Sequence, residues 1–144
     1  MPIVDGRYEM KMSTTFATPE EGIEAIKERV RSSRKIRING LPMKLIDELR
    51  PLLVKKDLKI VLPLGEKPTD DLGKLGEVAT TKAKIYVEFK GEEANSGYIV
   101  FPKIMYSVTW SGDRILHVST MEYAACVKCM MKGFEGAWRY AQKW

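Results

Sequence analysis

Two short apolar runs, "KIRIN" (35–39) and "LKIVLPL" (58–64), each follow a segment whose apolar residues recur at helical spacing. Few folds satisfy that alternation. A strand, a helix and a second strand joined by short connections pack as a parallel sheet covered by helices. In the first helical segment, "TPEEGIEAIKERVRSS", Thr18 is an N-cap, Pro19 suits the first helical position and Glu21 completes a capping box. Ile23, Ile26 and Val30 define its apolar face. In the second, "PMKLIDELRPLLVKKD", Met43, Ile46, Leu49 and Leu53 face one way, and Pro51 kinks the helix or ends its first half. "RYEMKMSTTF" (7–16) reads as a first strand, so the early order is strand, helix, strand, helix, strand.

Residues 65–82 are polar and contain glycine, and read as a loop with one helical turn near Leu72 and Leu75. The second half changes character. "AKIYVEFK" alternates cleanly, with Ile85, Val87 and Phe89 on one face and Glu88 exposed opposite. "GEEANSG" is a turn. "YIVFPKIMYSVTW" is one bent strand or two divided at Pro102, since proline cannot donate to a ladder. "SGD" is a tight turn and "RILHVS" the last strand. A helix carrying both cysteines closes the chain. The expected fold class is therefore α/β: a mixed sheet with a parallel βαβαβ first half, an antiparallel second half and a C-terminal helix. At 144 residues this is one domain, 1–144.

Cys126 and Cys129 are three positions apart, as in redox and zinc motifs. Ser119 with Glu122 repeats the capping-box pattern and makes Ser119 the expected N-cap, which puts Cys126 two turns inside, beyond the reach of the helix dipole. Helical neighbours three apart have Cβ atoms about 5–6 Å apart, whereas a disulfide needs about 3.5–4.5 Å. A structural zinc site needs four ligands, and the chain offers two cysteines and one histidine. The expected role is apolar packing beside a stripe of Tyr123, Val127, Met130, Phe134, Ala137 and Ala141. Neither a metal nor a cofactor is expected.

The formal net charge is +5, which suits an anionic partner. The densest basic stretch, Lys27 to Arg37, reads as a solvated helix end. No RNP-like strand or zinc finger accompanies it, so nucleic acid is not the expected partner. No apolar run reaches about 18 residues, so no membrane span is expected. No apolar signal core opens the chain, so a cytoplasmic setting with free thiols is expected.

Neither GxGxxG nor GxxxxGK[ST] is present. Ligands of open α/β sheets sit beyond the carboxyl ends of parallel strands. Those ends are Asn39 and the Pro63–Leu64–Gly65 turn, with Thr109, Trp110, His117 and Ser119 approaching from the second half. Asn39, Trp110, His117 and Ser119 are the candidate ligand-binding residues. Each has a plainer role: a turn for Asn39, a lid over a core edge for Trp110, a structural ring for His117, a cap for Ser119. No residue is assigned a catalytic role.

The segment "PEEGIEAIKERVRSSRKIRINGLPMKLIDELRPLLVKKDLKIVLPL" resembles the opening of phospholipase D-like domains, with its "KIRI" and "KIVLPL" strands. The ending "RILHVSTMEYAACVKCMMKGFEGAW" is similar to the end of the sensor domain of TrmB-family archaeal transcriptional regulators, where a last strand enters a helix finishing in aromatics; Phe134 and Trp138 match that finish. Catalytic phospholipase D relatives carry His-x-Lys-x4-Asp. Here Ser119 stands two beyond His117, so the resemblance implies a non-catalytic relative: a sensor-like protein binding a small molecule, as a homodimer. The 17 residues before Thr18 are too few for a winged helix-turn-helix, so direct DNA binding on that pattern is not expected. The alternatives are an enzyme using His117 and a nucleic-acid-binding accessory protein.

Overall fold

The computed structural model describes residues 13–69 and 71–144. Of the expected first strand, Ser13–Thr15 (β1) is present, and residues 7–12 lie outside the described residues. Helix α1 spans Pro19–Ser32; Thr18 Oγ1 accepts from the Glu21 amide at 3.2 Å, the cap that the sequence predicts. Ile26 and Val30 are fully buried and Ile23 packs beside them. Strand β2 (Lys35–Asn39) ends at Gly40, whose φ of +77° turns the chain into helix α2 (Met43–Leu49). A 3-10 turn, Arg50–Leu52, takes up Pro51, so the proline ends the α-helix. Met43, Ile46, Leu49 and Leu53 are all buried.

Strand β3 (Asp57–Leu62) pairs in parallel with β2. After a 3-10 turn at Leu72–Lys74 comes a strand that the pattern misses, β4 (Glu77–Thr80), parallel to β3. The remaining strands are β5 (Tyr86–Phe89), β6 (Glu92–Val100), β7 (Met105–Ser111), β8 (Arg114–Met121) and, after helix α3 (Ala124–Tyr140), β9 (Gln142–Lys143). All lie in one sheet, ordered β1-β8-β7-β6-β2-β3-β4-β9, with β5 paired to β6. The parallel strands are thus β2, β3 and β4, while β1 sits antiparallel to β8 at the far edge.

Helices α1 and α2 cover one face, burying Ile36, Ile38 and Ile60 with Val108, Trp110 and Val118. Helix α3 lies on the other. Its Phe134 and Trp138 pack on Val61 and Ala79, and its Val127 on Val100 and Met105. The buried stripe runs Val127, Phe134, Trp138, with Met130 and Met131 at its margin; Tyr123, expected in it, is 52% exposed. The difference follows from the helix start. Strand β8 continues to Met121, so α3 begins at Ala124 with Tyr123 as N-cap, and no side chain caps it. Ser119 is therefore not the cap: its strand pairs with Ser107 on β7 and Thr15 on β1. Cys126 accordingly lies in the first turn of α3, not two turns inside. Among the described residues, no helix is long and apolar enough to cross a membrane.

Candidate functional site

Residues opposed across neighbouring strands share a sheet face. Asn39 opposes Tyr98, Tyr98 opposes Ser107, and Ser107 opposes Ser119. One row therefore crosses β2, β6, β7 and β8 on the face that carries α3. The next row is Ser96, Thr109 and His117. All seven side chains are half-buried. The following row, Val100, Met105 and Met121, is where α3 rests, so the helix borders the polar rows rather than covering them.

Asn39 Nδ2 donates to the Tyr98 hydroxyl at 3.2 Å. Burial raises the Tyr98 phenol above its ordinary 10.0, and the hydrogen bond from Asn39 partly opposes that rise. The His117 ring packs against Phe89, centroids 5.9 Å apart and tilted by 47°. A bulge in the β7–β8 ladder sets this side: Thr109 opposes His117 but Trp110 opposes Ile115, leaving Leu116 as the extra residue.

Trp110 takes the other face. It is 2% exposed, packs in the core under α1 and α2, and donates from Nε1 to the Gly40 carbonyl at 2.8 Å. The structure thus brings Asn39, His117 and Ser119 to one face and sets Trp110 on the opposite face, where it holds the turn after β2. With about 4.8 Å per strand, Asn39 and Ser119 are about 14 Å apart, linked by Tyr98 and Ser107. Ser96, Tyr98 and Ser107 were not singled out from the sequence. Their signal is the polar alternation through Ser96–Gly97–Tyr98 and Ser107–Val108–Thr109.

Beyond the carboxyl ends of β3 and β4 lies a separate cavity of about 430 Å³, lined by Leu64, Gly65, Lys67, Thr80, Lys82 and Trp144 among others. A second cavity of about 540 Å³ shares Trp144 with it. None of the four predicted residues lines either cavity.

Three of the six basic residues between Lys27 and Arg37 pair with carboxylates. Lys27 Nζ is 2.9 Å from Glu48 and 3.5 Å from Glu24, Arg31 meets Glu28, and Arg37 meets Asp57 at 3.1 Å. Arg37 is buried in strand β2, beyond the end of α1 at Ser32, and does not belong to a solvated helix end. Cys126 and Cys129 are free thiols, and no group of three metal-ligating side chains occurs among the described residues.

No family model matches the chain, and no curated protein matches it in sequence. Solved structures do match. NucT from Helicobacter pylori superposes with a TM-score of 0.66 at 9% identity, over 92% of this chain and 98% of that one. TrmBL2, described as an archaeal chromatin protein with a novel mode of DNA binding, gives 0.61 at 10%, over 100% of this chain and 57% of its own. Nuc from Salmonella typhimurium, a phospholipase D family member, gives 0.57 at 10%, over 92% and 97%. At such identities the likeness speaks for the fold alone, and the fold of this chain is phospholipase D-like, shared with NucT, Nuc and TrmBL2.

Proposed function

We propose that residues 1–144 form a single cytoplasmic, non-catalytic ligand-binding or regulatory domain, sensor-like in character. The observation that supports this reading is the polar row Asn39–Tyr98–Ser107–Ser119 with His117 beside it, left open by α3. Hydroxyls and an amide spaced along a half-buried surface offer convergent donors and acceptors, and Phe89 and Tyr98 add aromatic walls. The two polar rows carry no permanent charge, which favours a neutral, hydroxyl-rich small molecule over a phosphate ester.

Where catalytic phospholipase D relatives have lysine two beyond histidine, this chain has Ser119, so the phosphate-binding ammonium is not supplied at that spacing. The pairing of Lys27, Arg31 and Arg37 with carboxylates weighs against nucleic acid as partner of that stretch.

Thermal denaturation of the wild-type chain against sugars, polyols, nucleosides and nucleotides tests the reading. Stabilisation by a hydroxyl-rich compound, lost in Asn39→Ala and in Ser119→Ala, is expected. A flat response across all classes overturns it. Turnover of phosphodiesters or esters that disappears in His117→Ala replaces it with an enzymatic function, and salt-sensitive binding of DNA or RNA replaces it with a nucleic-acid one.

A further inference from the structure

The sequence predicts apolar packing for Cys126 and Cys129, and the structure leaves both outside the core. Cys126 is half-buried and Cys129 exposed, and both are free thiols. The buried residues of α3 are Val127, Phe134 and Trp138. With α3 starting at Ala124, Cys126 stands in its first turn. There the first amide to join the helical ladder is that of Val127, which donates to the Tyr123 carbonyl at 3.0 Å. Packing does not account for two accessible thiols three residues apart.

Helical spacing sets a third sulfur beside them. At about 100° per residue, Cys129 is rotated about 60° to one side of Cys126 and Met130 about 40° to the other. Cys126 therefore neighbours both, one at i+3 and one at i+4. Helical side chains lean back toward the N-terminus, which carries the Met130 thioether over the turn that holds Cys126. Met130 is half-buried and packs against the cluster of Val100, Met105 and Val127.

The spacing also selects what can join the two thiols. Cβ atoms about 5–6 Å apart are too distant for a sulfur–sulfur bond of about 2 Å. A metal–thiolate bond is about 2.3 Å, so two thiolates on opposite sides of one ion lie about 4.6 Å apart, which the helix accommodates. No third thiol, imidazole or carboxylate joins the pair among the described residues. Zinc, which takes four such ligands, is therefore not satisfied, nor is a hard ion that wants oxygen. Two thiolates and a thioether are the donor set of a soft ion of low coordination number, copper(I).

Charge agrees with that choice. Each thiol gives up its proton on binding, so two thiolates and one copper(I) carry a single net negative charge. The N-terminal end of a helix favours negative charge. The acidic residue within α3, Glu135, lies beyond the cysteines, while Lys128 and Lys132 stand beside them.

We propose that Cys126, Cys129 and Met130 bind one copper(I) ion on the first two turns of α3, with the two thiolates as principal ligands and the thioether as the third.

The test uses the reduced full chain, free of oxygen and added thiol, titrated with copper(I) held by the chromophoric chelator bicinchoninate. Transfer of one equivalent to the protein is expected. Cys126→Ser and Cys129→Ser, each checked for folding by circular dichroism, are expected to lose that transfer. Met130→Leu keeps the apolar volume and is expected to weaken binding several-fold. Met131→Leu, rotated about 140° from Cys126, is expected to leave it unchanged. Acidification is expected to weaken binding, because protons compete for the thiolates. Zinc(II), offered from a competing chelator of its own, is expected to stay with the chelator. Copper(I) that remains with bicinchoninate overturns the proposal. So does transfer that survives either serine substitution, a Met130→Leu variant that binds as the wild type does, or one copper ion per two chains, which would divide the ligands between copies.

Discussion

The indole Nε1 of Trp110 donates to the carbonyl of Gly40 at 2.8 Å, joining strand β7 to the turn after β2 across 70 residues of chain. Trp110 lies on the face opposite Asn39, so the core holds from below the turn that ends the strand bearing Asn39. Trp110→Phe keeps most of the apolar volume but leaves the Gly40 carbonyl without its donor. An unsatisfied buried acceptor costs about 1–3 kcal/mol. Urea unfolding is expected to show a loss in that range, with the slope unchanged.

Gly97 and Gly133 make opposite predictions. A Cβ on Gly97 would fall inside the Gly40 carbonyl and close to the Asn39 oxygen, both backbone groups that cannot rotate aside. Gly97→Ala is expected to cost at least about 1–3 kcal/mol, as overpacking does. Gly133 is exposed within α3, with open space where a methyl would sit, and Gly133→Ala should stabilise by about 0.4–1 kcal/mol. Thermal melts of the two variants side by side check both signs.

The Arg37–Asp57 pair is asymmetric. The guanidinium is 6% exposed and the carboxylate 58%. Arg37 also donates to the carbonyls of Ile36 and Asp57, at 3.0 and 2.7 Å. Asp57→Ala strands a buried cation, while Arg37→Met removes that cation and leaves a carboxylate able to rehydrate. The first substitution should therefore cost more, about 1–3 kcal/mol against about 1 or less. Equal losses in chemical denaturation would contradict this.

Tyr98 sets an alkaline limit. Its phenol is raised above 10.0 in the fold by burial, so between the unfolded and folded values the native state holds a proton that the unfolded chain releases. That contribution to stability is complete below about pH 10 and is lost as pH rises through the folded value. Spectrophotometric titration of tyrosinate should show a late-ionising component that is absent in Tyr98→Phe, whose stability falls less steeply in that window.

Local signals hold where neighbours in sequence are also neighbours in space. The Thr18 cap, the break at Pro51, the Met43–Ile46–Leu49–Leu53 face and the hairpins at Pro102 and Gly112 all behave as their residues dictate. Strand β4 escaped because four residues between Gly76 and Thr81 are too short to display a period. Ser119 misled because S-x-x-E describes a cap only if the strand before it has ended. Pairing of Thr120 and Met121 with Tyr106 and Met105 on β7, and with Thr14 and Ser13 on β1, carries β8 two residues further.

By itself, then, the sequence determined most of the helices and strands and the mixed α/β class, since caps, prolines, glycines and apolar periods act over a few residues; the turn expected at 91–97 is instead most of strand β6, because pairing with β5 and β7 holds those polar residues extended. Only the tertiary structure decided that Arg37 is buried opposite Val100, on the sheet face that α3 takes, that Trp110 faces away from Asn39, His117 and Ser119, and that Ile85, Tyr86 and Val87 stay bare. Those outcomes depend on which strands pair and which face α3 takes, and both are fixed by contacts between segments far apart in the chain, which no local pattern encodes.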